Sequence, residues 1–290
     1  MYRDYYYDSA DGLRLYARDY PCIGLSGDSA PILLCMHGLS RNSKDFAGLA
    51  DMLSHHYRVI SVDQRGRGRS AYDSNPDNYQ PAMYCQDMFT LLDSLGIDEV
   101  SAIGTSMGGL MSFIMTTLAP ERIKSLVIND IGPEVDPVGL ARIQGYVGKL
   151  APPESWQEAV AQVQSINGPA FPDFSDAEWM SFTRNLYVES TEGKPQLDYD
   201  ANISKPMDVS QSAAVPPDLW QFFDATLTKP MLLVHGALSD ILADACVAKM
   251  QERHPAMQYL RLENRGHAPT LDEPESRLAI ANFLEDVYND

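Results

Sequence analysis

The sequence predicts an α/β fold, a doubly wound and mostly parallel sheet with an inserted helical cap. Three observations support this. Short apolar runs alternate with helix-like stretches over most of the 290 residues, which is the pattern of a parallel sheet covered on both faces. The alternation stops near Pro133 and resumes after Ala225. A glycine-flanked serine, Ser106, also stands between a strand-like run and a helix-like run.

The elements before the cap follow in regular order. Residues 13–19 alternate apolar and polar side chains, as an edge strand does, whereas residues 32–36 are continuously apolar and suit a strand buried on both faces. The elements that follow are a helix at 44–55, a strand at 57–62, a helix at 83–95, a strand at 100–104, a helix at 107–118 and a strand at 123–129.

Residues 133–225 interrupt this pattern. They hold more than half of the 19 prolines and helical stretches such as 155–164, but no strand alternation. An insertion between two strands of one sheet reaches the carboxyl edge, where the active sites of open α/β sheets lie, so we expect a cap over such a site rather than a structural decoration. The predicted division is core at 1–132, helical cap at 133–225 and core again at 226–290. The closing elements are a strand at 231–235, a helix at 244–253, a strand at 258–262 and a helix at 274–288.

Composition narrows the class of partner. With 22 Lys and Arg against 40 Asp and Glu, the net charge of −18 would repel phosphate backbones and anionic lipid surfaces, so neither nucleic acid nor a membrane is expected to bind. No apolar run approaches the ~18 residues of a membrane span and no signal segment is recognisable, so a cytoplasmic location is expected. The cysteines lack metal-site spacing, which predicts free thiols and no metal; they are Cys22, Cys35, Cys85 and Cys246. The oligomeric state cannot be read from the sequence.

A nucleophile elbow is indicated at residues 104–108, which read Gly-Thr-Ser-Met-Gly. A sharp turn at the carboxyl end of a strand lifts the oxygen of Ser106 clear of the backbone, where it can act as a nucleophile. Small residues are needed on either side because a side chain there would collide with the adjoining strand or helix, which explains Gly104 and Gly108. The alternative is a glycine-rich turn with an incidental serine.

A serine nucleophile needs a histidine base, and His267 is the best candidate. It lies in the loop between the last strand and the last helix, which can reach the elbow. His37 and His235 also end strands near the active edge, but each directly precedes a glycine and is better explained as organising a turn.

Two aspartates compete for the acid that orients this base. Asp240 follows the strand at 231–235 and lies between Ser106 and His267 in chain order, so it is favoured. Asp130 ends the earlier strand at 123–129 and is the alternative acid, with a role in capping the entry to the cap as its other explanation.

An oxyanion formed at Ser106 needs two N–H donors aimed at one point. We expect one from the backbone of Met107, at the amino end of the elbow helix, and the other from Leu39, in the loop after the first buried strand. The arginine-rich segment 63–70 fails the phosphate-loop pattern and is better explained as a tight turn whose arginines hold neighbouring loops. No cofactor is implied.

Five segments together resemble the α/β-hydrolase fold family, in that family's order and across the whole core. They are HGLSRN from His37, DQRGRGRS from Asp63, GTSMGG from Gly104, GALSD from Gly236 and RGHAPTLDEP from Arg265.

This resemblance implies a Ser106–His267–Asp240 triad, an oxyanion hole at Leu39 and Met107, and a cap domain. A serine nucleophile argues against the dehalogenase and epoxide hydrolase branches, whose nucleophile is aspartate. Carboxylesterases, enol-lactonases, perhydrolase-type enzymes and carbon-carbon bond hydrolases remain, and the last group usually has a longer glycine-rich loop than the one found here after Gly38.

The function expected from the sequence is hydrolysis of a small apolar ester or lactone through an acyl-enzyme. The alternatives are a carbon-carbon bond hydrolase of aromatic ring-cleavage products and a non-catalytic ligand-binding member of the fold. Because all tryptophans lie in the cap segment, we expect some of them to line the substrate pocket; they are Trp156, Trp179 and Trp220.

Overall fold

A parallel sheet organises the chain. The computed structural model describes residues 1–24, 30–206 and 218–289. The strands are β1 (Arg3–Asp8), β2 (Arg14–Tyr20), β3 (Ile32–Met36), β4 (Arg58–Asp63), β5 (Val100–Thr105), β6 (Ile123–Asn129), β7 (Tyr187–Glu189), β8 (Pro195–Leu197), β9 (Met231–Gly236) and β10 (Gln258–Leu262). Within these residues an eight-stranded sheet runs in the order β1-β2-β4-β3-β5-β6-β9-β10. In this order the pairings from β4 to β10 are parallel, whereas β1 with β2 and β2 with β4 pair antiparallel.

Helices cover both faces of this sheet. The α-helices of the described residues are α1 (Ala47–Leu53), α2 (Pro81–Ser94), α3 (Met107–Leu118), α4 (Pro137–Tyr146), α5 (Trp156–Asn167), α6 (Asp176–Leu186), α7 (Trp220–Asp224), α8 (Asp244–Arg253) and α9 (Pro274–Asn289). Helices α2, α3 and α8 pack on one face and α1 and α9 on the other. In β3, Leu34 and Met36 face the first layer while Leu33 and Cys35 face the second, as the two-residue period of a strand requires. The predicted doubly wound α/β class is therefore confirmed.

The edge of the sheet differs from the prediction. Residues 13–19 were expected to form the edge strand, but β1 pairs with β2 on its outer side and takes that position. The tyrosine-rich start of the chain gave no clear alternation, because Tyr5 and Tyr7 share a face with Arg3 while Tyr6 and Asp4 share the other.

The insertion leaves the sheet after β6 and returns at β9, two strands that are neighbours in the sheet. It contains α4 to α7, and α5 and α6 enclose a small apolar cluster of their own. Part of the predicted cap, residues 207–217, lies outside the described residues. The expectation that this segment has no strands was wrong, because β7 and β8 pair as an antiparallel hairpin. Each is three residues long, too short for a visible alternation. The division into core and cap domains stays a prediction.

Polar contacts hold the insertion against the carboxyl ends of the strands. On one side, Asp198 accepts from Lys44 Nζ at 2.9 Å, and Tyr199 forms an isolated β-bridge with Arg67. On another side, the Gly266 N–H donates to the Ala170 carbonyl at 2.8 Å. These contacts come from loops that follow β3, β4 and β10, so the insertion lies over the edge of the sheet where those loops meet.

The other structural expectations concern cysteines and membranes. All the cysteines are free, and Cys35, Cys85 and Cys246 are buried while Cys22 is half-buried. Over the described ranges, no helix has both the length and the apolar character that a membrane crossing requires.

Candidate active site

Ser106 occupies the turn between β5 and α3 in a conformation that few side chains adopt, with φ of 53°. The turn is tight: a Cβ atom on Gly108 would lie 2.0 Å from the Met36 carbonyl oxygen, and one on Gly104 would lie 2.3 Å from the Gly108 carbonyl oxygen. Only glycine fits at either position. The backbone thus projects the Ser106 side chain away from the sheet, as the sequence predicts for a nucleophile elbow.

His267 connects Ser106 to a carboxylate. Its Nε2 lies 2.8 Å from Ser106 Oγ, and its Nδ1 lies 2.8 Å from Asp130 Oδ2. A carboxylate accepts hydrogen bonds, so in the neutral imidazole Nδ1 carries the proton and Nε2 is left as the acceptor for the serine hydroxyl. Asp130 is fully buried and His267 is nearly so. The serine, the base and an acid therefore form one continuous chain of hydrogen bonds.

The carboxylate in this chain of hydrogen bonds belongs to Asp130 and not to Asp240, so the position beside His267 that the sequence favoured for Asp240 is corrected. Strands β6 and β9 are neighbours, and the loop after β9 wraps around the Asp130 carboxylate. Asp130 Oδ1 accepts from the Gly236 N–H at 2.8 Å, and Oδ2 accepts from Ser239 Oγ at 2.6 Å. These donors and the imidazole together fix the Asp130 carboxylate beside the base.

Asp240 points to a different partner. Its oxygens accept from Arg142 Nε at 2.5 Å and Nη2 at 2.8 Å, so that it links helix α4 to the loop after β9. Burial alone would raise the pKa of the Asp240 carboxyl, but the hydrogen bonds and charge of Arg142 outweigh that effect and hold it below its ordinary value. Sequence reasoning missed both Arg142 and Ser239. Ser239 directly precedes Asp240, whereas nothing local in the sequence points to Arg142.

The two predicted oxyanion donors lie next to Ser106. Met107 is the first residue of α3, and Leu39 follows Gly38, whose added Cβ would lie 3.7 Å from Ser106 Cβ. Among the described residues, neither backbone N–H has a hydrogen-bond acceptor. The Leu39 carbonyl accepts from Arg67 Nε at 2.9 Å, which fixes the peptide that follows it. Within the described residues, two backbone N–H groups beside Ser106 are therefore without an acceptor.

Comparison with known proteins identifies the family. A profile of the alpha/beta hydrolase fold matches residues 31–274 of the chain. The chain belongs to this family. A 3-hydroxybutyrate-oligomer hydrolase from Cupriavidus necator is 33% identical over 256 residues, or 86% of each protein. A 2-(acetamidomethylene)succinate hydrolase from Mesorhizobium japonicum is 26% identical over 258 residues, or 89% of each. The crystal structure of an alpha/beta hydrolase from Novosphingobium aromaticivorans has 42% sequence identity, covers 98% of both chains and has a TM-score of 0.91.

This α/β-hydrolase has an open cavity of about 350 Å³ above the elbow. Ser106 and His267 lie in its wall, together with Leu39 and polar groups such as Arg41 and Asp45. The inserted segment supplies aromatic side chains on the opposite side; they are Tyr146, Phe171, Phe174, Phe182, Tyr187 and Tyr199. Sequence reasoning did not single out these residues or Arg41, although Arg41 lies only two positions beyond Leu39.

The tryptophans were expected in the pocket, and this expectation was wrong. None of them is among the described residues that line the cavity. Trp179 is buried in the apolar cluster between α5 and α6, against Phe171 and Phe174. Trp156 and Trp220 lie nearer the surface, where each packs under an arginine and donates its indole N–H to a glutamate. These two positions near the solvent suit tryptophan, because its polar indole N–H needs a hydrogen-bond partner.

The arginines of the segment 63–70 hold neighbouring loops together. Arg65 is fully buried and binds the carboxylates of Asp11, Asp73 and Asp87. Arg67 donates to the Leu39 and Arg65 carbonyls and to the Tyr84 hydroxyl. In the part of the chain that the structure describes, no group of three His, Cys, Asp or Glu side chains is arranged to hold a metal ion.

His37 is a structural histidine beneath the loop that contains Leu39. It is fully buried, its Nδ1 lies 2.7 Å from the Gly38 carbonyl oxygen, and its Nε2 accepts from the Gln64 N–H at 3.1 Å. Burial lowers the pKa of this imidazole from 6.5 to about 3. His37 is therefore neutral in the folded protein, and it connects the loop after β3 to the loop after β4.

We expect His37 to make the protein less stable as the pH falls. Because its pKa is about 3 when folded and 6.5 when unfolded, the unfolded chain binds the extra proton between those values, and stability is lost progressively below pH 6.5. Between pH 7 and pH 5 this group should lower the free energy of unfolding by on the order of 2 kcal/mol. Urea unfolding of the wild type and of His37→Gln measures it, with His56→Gln as the control at an exposed histidine. A pH dependence that His37→Gln leaves unchanged would contradict the assignment.

Proposed function

We propose that this α/β-hydrolase is a serine hydrolase that cleaves carboxylic esters through an acyl-enzyme. The observation that carries the proposal is the unbroken chain of two 2.8 Å contacts from Ser106 through His267 to Asp130. This chain ends in a cavity large enough for a small-molecule substrate. A nucleophile, its base and the acid that orients the base are the groups that acyl transfer needs.

The proposed reaction has two halves. In the first, His267 Nε2 takes the Ser106 proton while Ser106 Oγ attacks the ester carbonyl, and Asp130 stabilises the imidazolium that forms. The N–H groups of Leu39 and Met107 hold the oxyanion of the tetrahedral intermediate. His267 then gives its proton to the leaving alcohol as the carbon-oxygen bond breaks. In the second half, His267 activates a water that attacks the acyl-enzyme, and Ser106 regains its proton.

The inserted segment is proposed to act as a cap that selects the substrate. Residues of α4 to α6 and of the β7–β8 hairpin line the cavity opposite Ser106. Phe171, Phe174 and Phe182 contribute apolar side chains to the lining, while Arg41 and Asp45 on the core side are charged. This mixed lining suits an ester that is partly polar better than the wholly apolar substrate expected from the sequence.

Ester bonds are favoured over carbon-carbon bonds by two observations. The loop after Gly38 continues with Leu39, Ser40 and Arg41 and lacks the longer glycine-rich loop associated with the carbon-carbon bond hydrolases. The relative from Cupriavidus necator is named for hydrolysis of 3-hydroxybutyrate oligomers, whose units are joined by esters. We therefore propose short hydroxy-acid esters as the first substrates to examine.

Steady-state assays on matched substrates test this function. The set contains p-nitrophenyl butyrate, the linear dimer of 3-hydroxybutyrate, a small lactone and a ring-cleavage dienoate, each assayed with the wild type and with Ser106→Ala. We expect turnover of the esters that depends on Ser106. Turnover of the dienoate alone would favour carbon-carbon cleavage, and saturable binding without turnover of any substrate would favour a ligand-binding role.

A further inference from the structure

Arg41 places a charged side chain beside the nucleophile. It lies in the loop after β3, and its side chain lines the catalytic cavity. A Cβ atom added to Gly38 would be 3.6 Å from Arg41 Cγ and 3.7 Å from Ser106 Cβ, so the side chains of Arg41 and Ser106 both lie close to Gly38. The guanidinium is thus within reach of a substituent on a short substrate bound at Ser106.

The guanidinium of Arg41 is held in place before any substrate binds. Nε and Nη2 donate to the two carboxylate oxygens of Asp45 at 2.6 Å and 2.7 Å. The guanidinium carbon also lies 4.2 Å from the ring centroid of Phe182, a contact between a cation and a ring face. Only 16% of the Arg41 side chain is exposed. A fixed donor loses little conformational entropy when it binds a ligand.

One edge of this guanidinium is unused. Asp45 occupies the edge formed by Nε and Nη2, and Nη1 has no hydrogen-bond acceptor in the described part of the chain. Arg65 shows how this chain fills both edges. Its Nε and Nη2 bind Asp87 in the same way, and its Nη1 and Nη2 bind a second carboxylate, that of Asp11, at 2.9 Å and 3.1 Å.

The cavity contains a second arginine, Arg265, whose guanidinium is paired with two carboxylates rather than one. Arg265 also lines the cavity, but it binds two carboxylates, those of Asp173 and Glu273, and it donates to the Asn264 carbonyl. Its positive charge is more than balanced by its own neighbours. Arg41 has one carboxylate partner and lines the cavity, and its second edge offers the two parallel N–H donors that a carboxylate prefers.

We propose that Arg41 binds a carboxylate group of the substrate through this free edge. The inference rests on the proposed ester hydrolysis and narrows it to short esters that carry a carboxylate, either on the acyl chain or on the alcohol. Asp45 fixes the orientation of the guanidinium and also limits its net charge, so Asp45 should weaken the attraction for the substrate carboxylate while keeping Arg41 in place.

Two pairs of substrates separate the two positions of the carboxylate. For the acyl side, p-nitrophenyl hemiglutarate is compared with p-nitrophenyl pentanoate. For the alcohol side, 3-(butyryloxy)butyrate is compared with its methyl ester. The wild type should prefer the charged member of at least one pair in kcat/KM. Arg41→Gln should lower kcat/KM for that member by about 10- to 100-fold, the worth of one charge-assisted contact, and change the neutral member by about twofold or less.

Asp45 provides the second variant, because Arg41→Gln also leaves a carboxylate unpaired in the cavity. Asp45→Asn should raise kcat/KM for the charged substrate, whereas Arg41→Gln with Asp45→Asn should lose the preference without any unpaired charge. Arg58→Gln is the matched control, since Arg58 binds Asp19 through the same Nε and Nη2 edge, between β4 and β2 and away from the cavity.

The results distinguish this proposal from the proposed function. Equal losses on charged and neutral esters in Arg41→Gln, or a preference that survives in the double variant, would overturn the role of Arg41 while leaving ester hydrolysis intact. A change of kcat/KM in Asp45→Asn that is the same for the charged and the neutral ester would also overturn it. Failure of the wild type to hydrolyse any ester would instead refute the proposed function.

Discussion

Ser106→Ala and His267→Ala should each lower kcat for an activated ester by a factor on the order of 10⁵ to 10⁶, and the double variant should be no worse than either single one. Ser106 Oγ and His267 Nε2 are 2.8 Å apart, so in the proposed mechanism the proton passes directly between them and both residues act in one step. Removing either group leaves only the oxyanion donors and the substrate contacts. Initial rates on p-nitrophenyl butyrate measure the effect, with circular dichroism to confirm that each variant folds.

Unequal losses of activity in the two single variants, or additive losses in the double variant, would contradict this prediction. If Ser106→Ala kept a tenth of the activity while His267→Ala lost nearly all of it, the histidine would act on another nucleophile or directly on water. Additive losses in the double variant would show that the two residues serve different steps.

Asp130→Asn should lower kcat by about 10³- to 10⁴-fold, and Asp240→Asn by no more than a few-fold. An amide at position 130 can present its NH₂ group to His267 Nδ1, which favours the wrong tautomer and removes the charge that stabilises the imidazolium. Asp240 instead binds Arg142, so its substitution breaks a contact between α4 and the loop after β9. The two variants are matched, since each replaces one carboxylate near the base by its isosteric amide.

The reverse ranking would identify Asp240, in the loop after β9, as the acid, which is the residue that the sequence favoured. Comparable partial losses would show that either carboxylate can orient His267. In that case, replacing Arg142 in the Asp130→Asn background should restore activity, because it frees Asp240 from its partner.

The strands, the helices and the elbow could be predicted because their signals are local. The continuous apolar run at 32–36 and the glycines around Ser106 reflect constraints that neighbours in the chain impose. The final helix and the loop with His267 follow from the same alternation. Even here, β7 and β8 were missed, because strands of three residues leave no period to detect.

The choice of acid could not be made from local sequence. Asp130 and Asp240 follow neighbouring parallel strands, so both carboxylates reach the same edge of the sheet. The two carboxylates differ in their long-range partners. Ser239 donates a hydrogen bond to Asp130, whereas Asp240 binds Arg142, which lies in helix α4, 98 positions earlier in the chain. An ion pair of that separation has no periodic or motif signature.

The aromatic residues of the inserted segment also show what local sequence cannot predict. The sequence indicated that tryptophans of this segment would line the substrate pocket. Aromatic rings do line the cavity, but they belong to phenylalanines and tyrosines. Trp156 and Trp220 have glutamate partners for their indole nitrogens, and Trp179 fills the space between α5 and α6. Which ring faces the cavity depends on how α5 and α6 pack, and both faces of these helices carry aromatic or apolar side chains.

Mass mapping of a trapped acyl group or phosphonate tests the central claim most directly. The protein is incubated with an organophosphonate or quenched during turnover of an aryl ester, digested, and sequenced by tandem mass spectrometry. We predict one adduct per chain, on Ser106, formed in step with the loss of activity and absent from Ser106→Ala. Loss of activity with the adduct on another residue and Ser106 unmodified would contradict the assignment of Ser106 as the nucleophile.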